Sequence, residues 1–177
     1  MDYQAILNRF SYSDESGIIN RISQTNKEAY RENEDIINEI ILWKLNRKPA
    51  IEKDVIDAIY ALKDLNTPIE VVENDLVKQV LEKLLRSKGI QLPVASTILH
   101  FYYPEIFPII DQRAYRELYG CDYPGTTRKI EKLVDLYQNY ISDCYQYQQS
   151  NCPDIPFSKI DKLLYQLDKE KGNRVRY

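Results

Sequence analysis

Apolar positions recur every three to four residues along almost the whole chain, and that spacing predicts helices rather than strands. Between 34 and 46, Ile36, Ile37, Ile40, Ile41 and Trp43 fall on one stripe, with Asn33 as a candidate cap. Residues 51–65 repeat Ile51, Val55, Ile59 and Leu62 in the same manner. Thr67-Pro68-Ile69-Glu70 reads as a capping box with proline at the first helical position. It predicts one helix to about Ser87, with Ile69, Val72, Leu76, Val80 and Leu84 as its stripe. A short helix is expected from Pro93 to just before Pro104, and another directly after Asp111. Thr126 or Thr127 opens a long helix through Ile130, Val134, Tyr137 and Ile141, and Ser158 caps a last one with Asp161 at its third position. Phe107-Pro108-Ile109-Ile110 is too short and too proline-bound for a strand. The expected class is all-α, roughly eight helices in a single domain over 1–177, with no repeat or linker.

Composition agrees. The chain has 177 residues, 44% of them apolar and 29% charged, which suits a globular protein with its own core. Only five glycines argue against a turn-rich β architecture. No run of about 18 apolar residues is present, so no membrane association is expected. Met1 to Phe10 mixes charge with apolar residues, unlike a secretory leader. The excess of tyrosine, 15 against four Phe and one Trp, reads as compositional bias. Cys121, Cys144 and Cys152 are an odd set at wide spacing, which predicts neither a disulfide framework nor an iron–sulfur cluster. The single histidine, His100, has no cysteine pair to complete a zinc site and sits on an apolar stretch, where packing or capping is expected. No metal or cofactor is therefore predicted, and the reducing cytoplasm is the expected compartment.

The net charge of −3 argues at first against nucleic acid. The acid is concentrated, however: residues 1–41 hold eight Asp/Glu and four Lys/Arg, whereas 42–177 hold 19 and 20. Basic clusters stand at Lys44, Arg47 and Lys48, at Arg86 and Lys88, at Arg113 and Arg116, and at Arg128 and Lys129. The second one flanks the most informative stretch. A helix ends in Arg86-Ser87-Lys88, Gly89 comes next where a left-handed terminus wants glycine, and Ile90-Gln91-Leu92 turn the chain into the helix that Pro93 opens. Ala95 and Ser96 are small enough for two helices to approach closely. That is a helix–hairpin–helix over about 76–101, whose turn offers backbone N–H groups to a DNA phosphate. Arg86, Lys88, Gly89, Ile90, Gln91 and Leu92 are thus the candidate DNA contacts.

The hairpin and the loop after it together resemble the helix–hairpin–helix DNA glycosylase superfamily. The family hairpin runs Gly, apolar, Gly, three variable residues, Ala; Gly89, Ile90 and Ala95 match, and Gln91 replaces the second glycine. The family loop, apolar-Pro-apolar-apolar-Asp with Arg five residues on, is matched by Phe107-Pro108-Ile109-Ile110-Asp111 and Arg116. The resemblance covers about 35 residues and is strongest to the endonuclease III and adenine-mismatch branch, here in a compact form without an iron–sulfur cluster. It implies a two-lobed helical fold. Bifunctional members carry a nucleophilic lysine at the fifth hairpin position, 18 residues before the aspartate; that position here is Pro93.

The resemblance implies chemistry as well. Asp111 is the catalytic carboxylate that stabilises the oxocarbenium-like sugar and orients water. Pro93 implies a monofunctional DNA glycosylase that leaves an abasic site, with Lys88 as the amine through which a lyase step stays open. The partner is double-stranded DNA with a flipped base, met by a monomer. Trp43, Lys44, Tyr102 and Tyr103 are candidates for the base pocket. Small bacterial hairpin proteins resemble the chain around Trp43-Lys44 and around Asp161 to Lys169. Housekeeping repair and attack on modified phage DNA both fit. Two other readings stand beside it: a hairpin protein that holds duplex DNA without cutting, and an all-α interaction protein whose acidic N-terminal third meets a partner.

Overall fold

The computed structural model describes residues 2–8, 16–45, 51–72, 74–124 and 129–175. Among them are nine α-helices, two 3₁₀ turns and no strand. The helices are α1 (Tyr3–Leu7), α2 (Ser16–Gln24), α3 (Tyr30–Leu45), α4 (Lys53–Tyr60), α5 (Asp75–Arg86), α6 (Leu92–Tyr102), α7 (Gln112–Tyr119), α8 (Ile130–Asn151) and α9 (Ile160–Glu170). The 3₁₀ turns are Pro68–Val71 and Phe157–Lys159.

Helix α6 is the axis of the first group. Every residue in it except Pro93 is buried, and α2, α3 and α5 pack around it. The stripe Ile36, Ile37, Ile40 and Ile41 gives α3 a wholly buried face against that axis. The second group is built on α9, which meets α7 across the most extensive helix pair in the molecule and also meets α1 and α8. Helix α8 reaches back to α5 and to the Pro68–Val71 turn, and the buried side chains form one continuous cluster through both groups.

The α7–α9 pair is fastened by an ionic knot. Arg116 grips Asp168 through both nitrogens of its fork, Nε to Oδ1 and Nη2 to Oδ2, each at 2.7 Å. Arg113 donates to Oδ2 at 3.0 Å and Asn173 to Oδ1 at 2.8 Å. Burial alone would push the Asp168 carboxyl up. The hydrogen bonds from Arg116 and Asn173 and the two arginine charges outweigh it and hold the group below its ordinary value.

Four expectations fail locally. The helix from Thr67 to Ser87 is two elements. Thr67 Oγ1 does donate to Glu70 Oε1, but the box opens only four residues of 3₁₀ turn. Asn74 then caps α5 itself, accepting from the N–H groups of Leu76 and Val77, while Gln138 of α8 donates to the Val71 carbonyl and holds the break in place. The break rotates the stripe: Val77, Val80, Leu81 and Leu84 go inside, while Ile69, Val72 and Leu76 are 60%, 37% and 38% exposed. Asn33 is no cap but a buried residue inside α3, its amide donating to the carbonyls of Asn26 and Ala29. The helix expected over 51–65 stops at Tyr60 and continues as turns, although Ile51, Val55, Ile59 and Leu62 are all buried. Ser158 lies within a 3₁₀ turn instead of capping α9. Thr126, Thr127, Arg128, Arg47 and Lys48 lie outside the described residues.

Asp168→Ala should cost about 3 kcal/mol, because it leaves two partly buried arginines without their acceptor. The sign of the pH dependence comes from the lowered carboxyl. Its contribution is fully present above the ordinary aspartate range and is lost as pH falls through the folded-state value. Urea unfolding at stepped pH should show the gap between wild type and variant closing toward acid.

Candidate functional site

The hairpin forms as expected. Helix α5 ends at Arg86, Gly89 takes a left-handed φ of 88°, and the Ile90 N–H closes the turn on the Ser87 carbonyl at 3.1 Å. A side chain with a Cβ is strained at that φ, which is the local reason for glycine. Pro93 sits in the first turn of α6. Arg86, Lys88, Gly89 and Gln91 are exposed, whereas Ile90 and Leu92 are buried. The side chains of Ile90 and Leu92 thus belong to the core, and the Ile90 N–H is taken by the Ser87 carbonyl. Arg86 also leans on Glu82 one turn back at 3.6 Å.

Beyond α6 the chain enters Phe107–Ile110, a segment outside any helix or strand, whose first N–H bonds back to the Tyr103 carbonyl at 3.1 Å. Side chains from three helices supply what the backbone lacks. His100 Nδ1 lies 2.9 Å from the Phe107 carbonyl. Tyr137 donates to the Pro108 carbonyl at 2.9 Å and Tyr140 to the Ile109 carbonyl at 3.0 Å. The Ile109 N–H donates to Asp161 Oδ2 at 3.0 Å, and the Ile110 N–H to Ser96 Oγ at 3.1 Å. Phe107, Ile109 and Ile110 bury their own side chains. A buried irregular segment needs such partners, since each unpaired backbone group costs about 1–3 kcal/mol.

The clamped loop ends at Asp111, the N-cap of α7. Its Oδ1 accepts from the N–H groups of Arg113 and Ala114, both at 2.8 Å. Both bonds land on one oxygen, so Oδ2 has no hydrogen bond among the described residues. Burial raises the Asp111 carboxyl above its ordinary value. The Lys44 charge and the two N–H bonds oppose the rise, and the Asp161 charge adds to it.

Lys44 is an expected pocket residue, and the structure brings its charge to bear on Asp111 from the last turn of α3. Trp43 beside it packs edge-on against Phe101 of α6, ring centroids 5.4 Å apart. Tyr102 and Tyr103 are bound elsewhere. Tyr102 is buried and donates to Asn33 Oδ1 at 3.1 Å; Tyr103 donates to the Ile59 carbonyl at 2.8 Å. Arg116 is committed to Asp168. His100 is buried with its Nδ1 3.9 Å from Asp161, in a packing role.

Asp161, Ser96, Tyr137 and Tyr140 are residues whose role in this loop the sequence concealed. Their partners lie 14 to 52 positions away, beyond any local pattern. Among the described residues no three His, Cys, Asp or Glu side chains gather as a metal site, and no helix is long and apolar enough to cross a membrane. The three cysteines are free thiols. A separate cavity of about 330 Å³ lies between the Pro68–Val71 turn and α8, walled by Pro68, Ile69, Val72, Ser142, Tyr145 and Gln146, none of them a candidate site residue.

Fold and loop together define an all-α protein in which a helical hairpin leads into a loop held by five side chains and ending at an aspartate. Comparison of the chain with protein-family models, with curated proteins and with solved structures gives no match in any of the three.

Ser96→Ala should lower stability by about 1–3 kcal/mol, because it strands the Ile110 N–H in the interior. Denaturant titration measures the loss, and faster amide exchange at Ile110 than at Leu99 locates it.

Proposed function

We propose that the chain is a monofunctional DNA glycosylase of the helix–hairpin–helix class, two-lobed in architecture, acting on a base flipped out of duplex DNA. The observation that carries this reading is the state of Asp111. Its carboxylate is fixed through Oδ1 at a helix N-terminus, partly exposed yet raised by desolvation, and unbonded at Oδ2 among the described residues. An oxygen that is placed, unbonded and reachable from outside is what a developing sugar cation needs.

In this reading the hairpin grips the phosphate backbone. Gly89 and Gln91 are exposed at the turn, and Arg86 and Lys88 add charge alongside. The flipped nucleotide brings C1′ to Asp111. As the glycosidic bond stretches, positive charge grows on the sugar, and the ionised carboxylate stabilises it and takes a proton from the attacking water. Pro93 stands in the first turn of α6 where a bifunctional relative would carry its lysine, so water is the nucleophile and the strand stays intact.

Asp111→Asn should abolish base release while DNA affinity and folding change little, since asparagine still caps α7. In the wild type, release should fall as pH drops, with a midpoint above the ordinary aspartate value, because the raised carboxyl must be ionised to act. Retained excision by Asp111→Asn on a cleaved substrate rules the mechanism out.

The product should be an abasic site in an unbroken strand. An end-labelled duplex treated with protein should run full length on a denaturing gel and break only after alkali, and borohydride should trap no adduct. Strand cleavage without alkali together with a trapped adduct overturns the monofunctional reading, and Lys88 is then the first residue to replace. A duplex that is bound but never cut on any modified base favours the binding-only protein.

A further inference from the structure

Two successive N–H groups of the clamped loop are answered in different ways. The Ile110 N–H donates to the Ser96 hydroxyl at 3.1 Å, and the Ile109 N–H to a carboxylate, Asp161 Oδ2, at 3.0 Å. A neutral acceptor thus suffices for one of them. Asp161 is 4% exposed, and an anion in the interior costs far more than a hydroxyl. Satisfying one amide does not account for it. Both of its oxygens are engaged: Oδ1 accepts from the Lys162 N–H at 2.8 Å, and Oδ2 also lies 3.9 Å from His100 Nδ1. His100 in turn bonds the Phe107 carbonyl at 2.9 Å, so this pair grips the loop at its first and third residues. Asp111 follows two residues after Ile109, at most about 7 Å from it between Cα atoms. Asp161 is therefore bonded into the short stretch of backbone that carries Asp111.

An aspartate at a helix N-terminus is driven toward its ionised form, and a carboxylate so stabilised is a weak proton acceptor. A second carboxylate bonded into the same loop offsets that drive, because like charges resist each other's ionisation. We infer that Asp161 is the positioning residue of the candidate site: its carboxylate holds the loop through the Ile109 N–H and keeps Asp111 available as a proton acceptor. Its part in base release rests on the glycosylase reading of Asp111. The groups that face Asp111 are few. Asp161 of α9 adds to the rise of its carboxyl, Lys44 of α3 and the N–H groups of Arg113 and Ala114 oppose it, and Tyr140 of α8 lies within reach of its charge. Facing Asp161 are His100 of α6 and Tyr137, Tyr140 and Cys144 of α8.

The experiment compares wild type, Asp161→Asn and Asp161→Ala. Asparagine keeps an oxygen for the Ile109 N–H and loses the charge, whereas alanine loses both. Carbon NMR of the aspartate carboxyls, with Asp111→Asn to assign the signal, follows the Asp111 titration directly. Base release is followed against pH on duplexes carrying a single uracil, hypoxanthine, or adenine opposite 8-oxoguanine. Amide exchange at Ile109 reports the loop, and a thermal melt reports the fold. In Asp161→Asn, Asp111 should titrate at lower pH than in wild type, and release should persist to correspondingly lower pH, with the plateau rate and Ile109 protection close to wild type. In Asp161→Ala the plateau should fall by about 100-fold, the cost of displacing a reacting group by about 1 Å, with faster exchange at Ile109. A residue that served packing alone would lower the melt and leave the Asp111 titration where it was. An Asp111 titration unmoved in Asp161→Asn overturns the role of Asp161, and so does release by Asp161→Ala at the wild-type rate. Where alanine does not fold, the asparagine variant decides. No release of any base by wild type overturns the glycosylase reading, and the NMR titration then still decides whether Asp161 governs the Asp111 carboxyl.

Discussion

Everything near the candidate site depends on satisfying the backbone of four residues that belong to no helix. Phe107, Pro108, Ile109 and Ile110 run through the interior, where an unpaired carbonyl or N–H has no water to turn to. The fold meets this with side chains: His100 and Ser96 from α6, Tyr137 and Tyr140 from α8, and Asp161 from α9. Because the partners come from three helices, the loop is also the joint between them. Helix α6 cannot shift against α8 or α9 without losing bonds that have no substitute. The direction in which Asp111 points is set by two N–H groups of its own turn, and the place of that turn by the packing of α6, α8 and α9 around the loop.

The same network explains the tyrosines. Fifteen in one chain look like compositional bias. In the interior they are the residue that fits, because a phenol combines a large apolar body with one donor at the far end. Tyr137 and Tyr140 reach loop carbonyls from α8, Tyr103 reaches the Ile59 carbonyl, and Tyr60 and Tyr102 both point their hydroxyls at Asn33 Oδ1. Phenylalanine at position 137 or 140 would fill the same space and take the donor from the Pro108 or Ile109 carbonyl.

Helical class, the hairpin over 76–101, the start of α7 at Asp111 and the buried faces of α3 and α4 were legible in the sequence, because each rests on short-range spacing or on one residue with a special backbone role. Gly89 announces its left-handed turn, and Asp111 announces its cap. Misreadings came where two local signals compete. Thr67 and Asn74 are both good caps seven residues apart, and the chain uses both, with a carbonyl between them taken by Gln138 of α8. Asn33 has the composition of a cap but the burial of a core residue, which only the tyrosines 27 and 69 positions away explain. The loop clamp was illegible for the same reason: its bonds join residues that no window brings together.

In the proposed glycosylase reading, using a cap as the reactive group is economical in a specific physical sense. A carboxylate aimed by flexible packing must lose rotamer freedom each time it acts, whereas Asp111 has lost it already to two N–H groups of α7. The arrangement carries a built-in tension. The helix N-terminus favours the ionised form, while burial and the nearby Asp161 favour the protonated one, and the balance leaves the carboxyl raised. A raised carboxylate is a better proton acceptor than an ordinary one and still keeps its bare oxygen. The charge of Lys44 pulls the other way and restrains the rise. The groups that set the basicity of Asp111 are therefore spread over α3, α7 and α9, and no segment of the chain shorter than the fold itself contains the site.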